Sequence, residues 1–273
     1  MSKRNSQANK AAARERLRAE RERQAKKDKI RKQVIVGVSV VAVLAIVGGV
    51  SYAVMQLNKP GHWEAAADAK NVTAPKNTSG TDGTTVVIGK PTAKKTLELY
   101  EDSRCPICGQ FEQTVGETIH KDVDAGKYKV KYIGATFIDG DNSMNGVGSK
   151  NALSALGAAL NVSPQAFLDY KFALYSAKYH PEETDDKFAK DSYLIKVANT
   201  VNELKDNKAF QKDVNDGTYD NWAMKMSAAF EKSGVKGTPT LKMDGKTLTS
   251  EGSDNAPMTV ADFNTAIDKA LKG

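Results

Sequence analysis

The sequence predicts an α/β protein in which a strand–helix–strand unit is interrupted by an inserted helical domain and then completed by a hairpin and a last helix. A single membrane-spanning helix is predicted ahead of it. Three observations carry this prediction: an uncharged apolar run near the N-terminus, alternating apolar segments on both sides of a long helical region, and a Cys-x-x-Cys motif after the second of those segments.

The basic character of the chain belongs to its first residues. The whole chain has a net charge of +7, and residues 1–32 alone carry 13 Lys/Arg against four Asp/Glu. The remainder therefore has a net charge of −2, which argues against nucleic-acid binding by the folded part. We interpret residues 1–33 as a basic cytoplasmic tail.

The apolar run that follows is long enough to cross a membrane. Val34 to Met55 is 22 residues without a charged side chain, and as a helix it would span a hydrocarbon core of about 30 Å. We predict that residues 34–57 form a helix that spans the cell membrane and contacts the lipid bilayer. The Lys/Arg excess before it predicts a cytoplasmic N-terminus and an extracytoplasmic C-terminal domain. A cleaved signal peptide is the alternative, disfavoured by the length of the basic region and of the apolar run.

The next segment is predicted to be a flexible linker, because residues 58–84 are rich in Gly, Pro, Asn and Thr. A folded domain is predicted over 85–273. Its first three strands are expected in TTVVIG (84–89), KTLELY (95–100) and KYKVKYIGATF (127–137), the last of which alternates apolar and polar residues. The cysteine motif and a helix lie between the second and third strands.

A helical insertion is predicted over about 146–234. Within it, Ser163 followed by Pro164 is a typical helix start, with serine as the N-cap and proline in the first helical position. Strand patterns return at 238–248, where the dipeptide Asp244-Gly245 predicts a hairpin turn. A final helix closes the chain.

Cys105 and Cys108 are the only cysteines of the chain, in the stretch DSRCPICGQF. The predicted export places them where disulfides persist, yet the loop that they close is too short to stabilise the fold much. The pair is therefore predicted to be chemical rather than structural. Pro106 suits the first position of a helix, which would place Cys105 at the helix N-terminus, where a thiolate is favoured.

Other uses of the two cysteines were weighed. Zinc prefers four ligands, and the chain has no further cysteine and only three histidines, far apart, so no metal site is predicted. Copper(I) held by two thiolates and a pair of inert buried cysteines stay open. Arg104, the only arginine after the tail, either adds positive charge next to the nucleophile or is a solvated surface side chain.

The pattern of strand, CPIC motif and helix, with GTPT before the last hairpin, resembles the thioredoxin fold. Together with the helical block, TLELYEDSRCPICGQFE and VKGTPTLKMDGK are similar to the DsbA-like branch of thiol-disulfide oxidoreductases, in particular to membrane-anchored proteins of Gram-positive actinobacteria. The resemblance spans roughly 85–272. It implies a thioredoxin fold with an inserted helical domain and a cis Thr238–Pro239 bond beside the sulfurs, where the backbone of Thr238 would pair with substrate chains.

The sequence departs from this family pattern at two places. Ile107 stands where many members have His or Tyr, and an aliphatic side chain cannot hydrogen-bond the thiolate, so the disulfide is expected to be less oxidising. Many relatives also carry a buried acid six residues before the first cysteine, where this chain has Leu99, with Glu98 and Glu101 nearby. The proton shuttle for Cys108 is therefore either moved or absent.

These features predict a membrane-tethered, exported protein disulfide oxidoreductase. Cys105 would form the mixed disulfide with cysteine-containing exported proteins and Cys108 would resolve it, supported by Arg104, Pro106 and Ile107. No bound cofactor is required beyond the redox-active disulfide, and a membrane redox partner would recycle it. The direction of electron flow stays open. The alternatives are a non-catalytic module that binds copper(I) or a peptide, and a redox-responsive anchor whose tail signals in the cytoplasm.

Overall fold

The computed structural model describes residues 26–27, 61–140 and 146–272. The predicted membrane helix at 34–57 and all of the predicted basic tail except residues 26–27 lie outside the described residues. Among the residues described, no helix is long and apolar enough to cross a membrane.

One five-stranded sheet organises the described part of the chain. Its strands are β1 (Val86–Ile88), β2 (Thr96–Asp102), β3 (Lys129–Ala135), β4 (Thr240–Met243) and β5 (Lys246–Leu248). They lie in the order β1-β3-β2-β4-β5, with β2 and β3 parallel and the other neighbours antiparallel. The central strand β2 is covered on both faces near its end, since Leu99 on one face and Asp102 on the other are fully buried.

The helices pack around this sheet. They are α1 (His62–Asp68), α2 (Pro106–Phe111), α3 (Glu117–Ala125), α4 (Gly148–Val162), α5 (Pro164–Tyr175), α6 (Asp191–Ala198), α7 (Lys208–Asn215), α8 (Asp220–Lys232) and α9 (Val260–Lys272). A π-helical turn, Glu112–Gly116, joins α2 to α3. Helices α4 to α8 follow β3 and precede β4, so the strand–helix–strand unit is interrupted by helices as the sequence predicts.

Two local predictions are confirmed, one by a hydrogen bond and one by backbone dihedral angles. The Ser163 hydroxyl accepts a hydrogen bond from the Ala166 N–H at 2.9 Å, as an N-cap does. Asp244 and Gly245 both have positive φ, 53° and 76°, which gives the primed turn that suits a two-residue hairpin. Helix α7 was missed, because it is only eight residues long and has a single short apolar stripe.

The segment predicted as a linker packs, from residue 61 onward, against the helical insertion. It contains α1, and the His62 ring lies 2.6 Å from the Asp220 carboxylate. The Trp222 indole N–H donates to the Gly83 carbonyl at 2.8 Å. Composition alone did not predict this, because the bonds join the segment to residues about 140 to 160 positions away.

Candidate functional site

The cysteine motif lies where the central strand ends. After β2, the Cys105 N–H donates to the Asp102 carbonyl at 3.0 Å, which closes a turn into α2. Cys105 is the N-cap and Pro106 the first residue of that helix, as predicted. Both cysteines are free thiols; Cys105 is 7% exposed and Cys108 is fully buried. An incoming reactant can therefore reach only the first sulfur.

The two thiols have opposite acid–base properties. The Cys108 thiol hydrogen-bonds the Cys105 sulfur and lowers the pKa of Cys105 to about 6, with further help from the backbone N–H groups of Cys108 and Ile107. Burial raises the pKa of Cys108 well above its ordinary value, and its hydrogen bond to Cys105 adds to this. At neutral pH, Cys105 is a thiolate and Cys108 holds its proton.

The loop that contains GTPT lies directly against the first sulfur. The Thr238–Pro239 peptide bond is cis, as the resemblance implied. The Cys105 sulfur is 3.5 Å from the Thr238 carbonyl oxygen. A polypeptide that approaches Cys105 therefore meets the backbone of Thr238 at the same time.

Arg104 serves a different purpose from either of the two predicted. It is 1% exposed, which excludes a solvated surface arginine. Its guanidinium donates to the Asp139 carboxylate at 2.9 Å and to the Glu183 carbonyl at 2.8 Å, and it lies 3.5 Å from Asp186. Its charge is thus engaged by acids beyond β3 and within the insertion, and it anchors these segments behind the motif rather than activating the thiolate.

A buried carboxyl group lies near the cysteines, two residues beyond the position that family members use. Glu101 lies on the same face of β2 as Leu99, since side chains two apart share a face. Burial raises its pKa to about 7, against the opposing effect of the Lys171 ammonium, and Cys105 adds to the rise. Glu101 in turn raises the pKa of Cys108. Glu101 is therefore the candidate for the proton shuttle whose position the sequence left open.

Glu101 belongs to a buried charge triad that sequence reasoning missed. The Lys171 ammonium, from α5, lies 3.0 Å from the Glu101 carboxylate and 2.5 Å from that of Glu112. Gly116 makes room for Glu112, because a Cβ there would lie 2.7 Å from the Glu112 carboxyl carbon. Glu112 could have been found from the sequence, because it follows Cys108 by one helical turn. Lys171 could not, because the sequence of its helix is mostly apolar and gives no reason to expect a buried charge.

The helical insertion also covers the motif with two rings. Tyr175 belongs to the same apolar cluster as both cysteines, and its hydroxyl donates to the Asp102 carbonyl at 3.0 Å. His180 stacks on Tyr175 at 5.5 Å, and its ring would be 3.2 Å from any Cβ at position 109, where the chain has glycine. The insertion therefore supplies part of the site.

No group of three or more His, Cys, Asp or Glu side chains that could hold a metal ion occurs within residues 61–140 and 146–272.

Comparisons with known proteins agree with this geometry. A family model described as thioredoxin matches residues 81–269. The structure is similar to oxidised DsbA of Mycobacterium tuberculosis, with 25% identity and a TM-score of 0.55 over 69% of this chain and 93% of that one. It is similar to the reduced disulfide bond oxidoreductase DsbG of the same organism, with 26% identity and a TM-score of 0.54 over 72% and 86%. Disulfide bond formation protein D of Bacillus subtilis is 23% identical over 188 residues, 68% of this chain and 77% of that protein.

Proposed function

This chain belongs to the thioredoxin family, and we propose that it is a membrane-tethered thiol-disulfide oxidoreductase of exported proteins whose active site is the CPIC motif. The resemblance to the DsbA-like branch is confirmed by the similarity to the DsbA and DsbG of Mycobacterium tuberculosis. The proposed site rests on one observation: the two thiols differ in accessibility and in pKa. Cys105 is accessible with a lowered pKa, and Cys108 is buried with a raised one.

In the donating direction, a substrate thiolate attacks the Cys105 sulfur of the Cys105–Cys108 disulfide. The bond between the two sulfurs breaks, and Cys108 leaves as a thiolate that takes a proton from Glu101. A second substrate thiolate then attacks the substrate sulfur of the mixed disulfide, and Cys105 leaves as a thiolate. The substrate has lost two electrons, the protein has gained them, and a redox partner in the membrane must accept them for another cycle.

Two exposed apolar side chains flank the pair and fit unfolded polypeptide segments as substrates. Ile107, inside the motif, is 49% exposed. Phe137 is 47% exposed, stacks on Phe230 at 5.9 Å, and precedes Ile138, which packs with both cysteines. Such side chains would hold an apolar stretch near a substrate cysteine before it is buried by folding.

The expected reduction potential lies between those of thioredoxin and DsbA, about −270 and −120 mV. A lowered pKa of Cys105 stabilises the reduced protein and so makes the disulfide more oxidising, whereas Ile107 offers the thiolate no side-chain hydrogen bond. The measurement equilibrates the full-length protein with glutathione and follows the dithiol fraction. The oxidised protein should also convert a reduced two-cysteine peptide to its disulfide. A chain that forms no internal disulfide at any glutathione ratio would instead be a binding module.

The proposed tether rests on the uncharged run Val34 to Met55 and the basic residues before it. We expect the protein to stay in the membrane fraction after extraction with alkaline carbonate. In intact cells freed of their outer wall, protease should remove the cysteine domain and leave the tail. Release by carbonate, or protection of the domain from protease, would contradict the tether or its orientation.

A further inference from the structure

In the buried charge triad of Glu101, Lys171 and Glu112, one carboxylate oxygen of Glu112 makes no hydrogen bond to the other two members. Oxygen Oε2 of Glu112 bonds Lys171, whereas Oε1 faces the Nε2 atom of His120 at 3.9 Å. Both facing atoms are buried, and neither has a hydrogen-bond partner among the described residues. The gap is too long for a direct hydrogen bond, and a small side-chain rotation is enough to close it.

His120 lies where the triad approaches the surface. Its side chain, on α3, is 19% exposed, whereas those of Glu112 and Lys171 are 2% exposed. Phe172 packs beside the ring at 5.9 Å. The charged groups that face His120 are Glu112 from the π-helical turn, Lys171 and Asp169 from α5, and Glu117 and Asp124 from its own helix.

The imidazole can therefore exchange protons under ordinary conditions. Burial lowers the pKa of His120, and the nearby Glu112 carboxylate opposes that shift. The ring is thus neutral at pH 7 and is able to accept a proton from solvent and pass it inward.

We propose that His120 is the outlet through which the buried Cys108 exchanges its proton with solvent, by way of Glu112, Lys171 and Glu101. This rests on the proposed function, because only a thiol that cycles through a disulfide needs a proton route. His120 is the most exposed member of this path, at 19% against 7% for Glu101 and 2% for Lys171 and Glu112, so it is the path's main contact with water. His120 contacts neither the substrate nor a sulfur atom. It acts indirectly, by supplying protons from water to Glu101 through the triad.

The transfers balance at each step. When the Cys105–Cys108 bond opens, the Cys108 thiolate takes the proton of Glu101. The Lys171 ammonium gives a proton to Glu101 and is left neutral. His120 takes one proton from water and passes it to the Glu112 carboxylate, which hands it to Lys171, so that the lysine ends charged and Glu112 ends ionised, as they began. Asp102, the neighbouring buried acid, is not on this path, because its carboxylate accepts hydrogen bonds from Ser149 and from the backbone of Arg104 and Ile138.

The rate of disulfide opening should depend on His120 only at the higher pH values. The pKa of Glu101 is about 7, so at pH 6 most molecules already hold the proton that Cys108 needs. At pH 8 most do not, and the proton must enter from solvent while the disulfide opens. Loss of the outlet should therefore slow opening at pH 8 and leave it unchanged at pH 6.

The test measures disulfide opening in the oxidised full-length protein at saturating dithiothreitol, by acid quenching followed by alkylation of free thiols. His120→Gln should lower the plateau rate about tenfold at pH 8, the low end of proton-transfer effects, and match the unchanged protein at pH 6. Added imidazole should restore the rate of His120→Ala at pH 8. The matched control is His62→Gln, a histidine paired with Asp220 outside the site, which should change neither rate.

A second variant keeps the histidine and obstructs the gap. A Cβ at position 116 would lie 2.7 Å from the Glu112 carboxyl carbon and 3.0 Å from Oε1, so Gly116→Ala displaces this carboxylate and should also slow opening at pH 8. Equal slowing at both pH values would mean a structural role for His120 and would overturn the outlet, as would an unchanged rate at pH 8. If the unchanged protein opens its disulfide but never oxidises a peptide, the proposed function fails while the rate comparison still decides the proton route.

Discussion

Given a protein that already contains a disulfide, Cys108→Ser should arrest as a mixed disulfide between Cys105 and one sulfur of that protein, while the other sulfur leaves as a thiolate. The buried sulfur is the only other thiol of the chain, and it lies next to Cys105, where an intramolecular thiol has a very high effective concentration. Without it, release of the mixed disulfide must wait for an external thiol, and we expect it to slow on the order of 100-fold or more. The trapped species would be seen as a band that disappears on reduction.

Cys105→Ser is the matched control for this trapping experiment. The remaining sulfur, Cys108, is fully buried and its pKa is raised well above the ordinary value, so it should form no mixed disulfide. Equal trapping by the two variants would contradict the assignment of Cys105 as the nucleophile. Cys108→Ser should also raise the pKa of Cys105 if the serine hydroxyl bonds the thiolate less well than the native thiol, because that hydrogen bond is the largest cause of its lowered value.

Lys171→Met should destabilise the fold by about 3–5 kcal/mol, the usual effect of breaking a buried ion pair on one side. The ammonium lies between the carboxylates of Glu101 and Glu112 and within 5.2 Å of the centre of the Tyr132 ring. Methionine keeps most of the volume, so the loss comes from two buried acids without a counter-charge. The midpoint of urea unfolding, followed by circular dichroism of the full-length protein, measures it.

The loss in Lys171→Met should depend on pH in a defined direction. Lys171 holds down the pKa of Glu101, so its removal moves that pKa further above about 7, while the unfolded value stays near 4.5. An acid whose pKa is raised by folding contributes stability at low pH and loses it as pH rises through this window. The variant should therefore be closer to the unchanged protein at pH 5 than at pH 8.

Two further variants separate charge from packing. Adding Glu101→Gln to Lys171→Met removes one of the stranded acids and should recover about 1–3 kcal/mol at pH 8, the range of coupling between contacting residues. Lys121→Met breaks an exposed ion pair with Glu117, 2.9 Å long, and should leave the midpoint unchanged. No recovery in the double variant would mean that the lysine acts through packing alone.

The helix start at the cysteine motif could be predicted from sequence because its determinants are local. Cys105, Pro106 and Cys108 are neighbours along the chain, and the spacing of a helix start orients them before any distant contact forms. The same holds for the Ser163 N-cap and for the Asp244-Gly245 turn, each decided by two or three adjacent residues. Strand alternation and helix periodicity are likewise short-range, which is why the interrupted α/β order could be predicted.

Tertiary structure alone decided which charges are buried, and with them the proton chemistry. Glu101 and Lys171 are 70 residues apart, and Lys171 and Glu112 are 59 apart, so no local pattern could pair them. Arg104 shows the same limit, since its acids lie 35 residues or more away and its burial depends on the insertion. A residue's type is written in the sequence, but its protonation depends on the water removed and the charges brought near by distant segments.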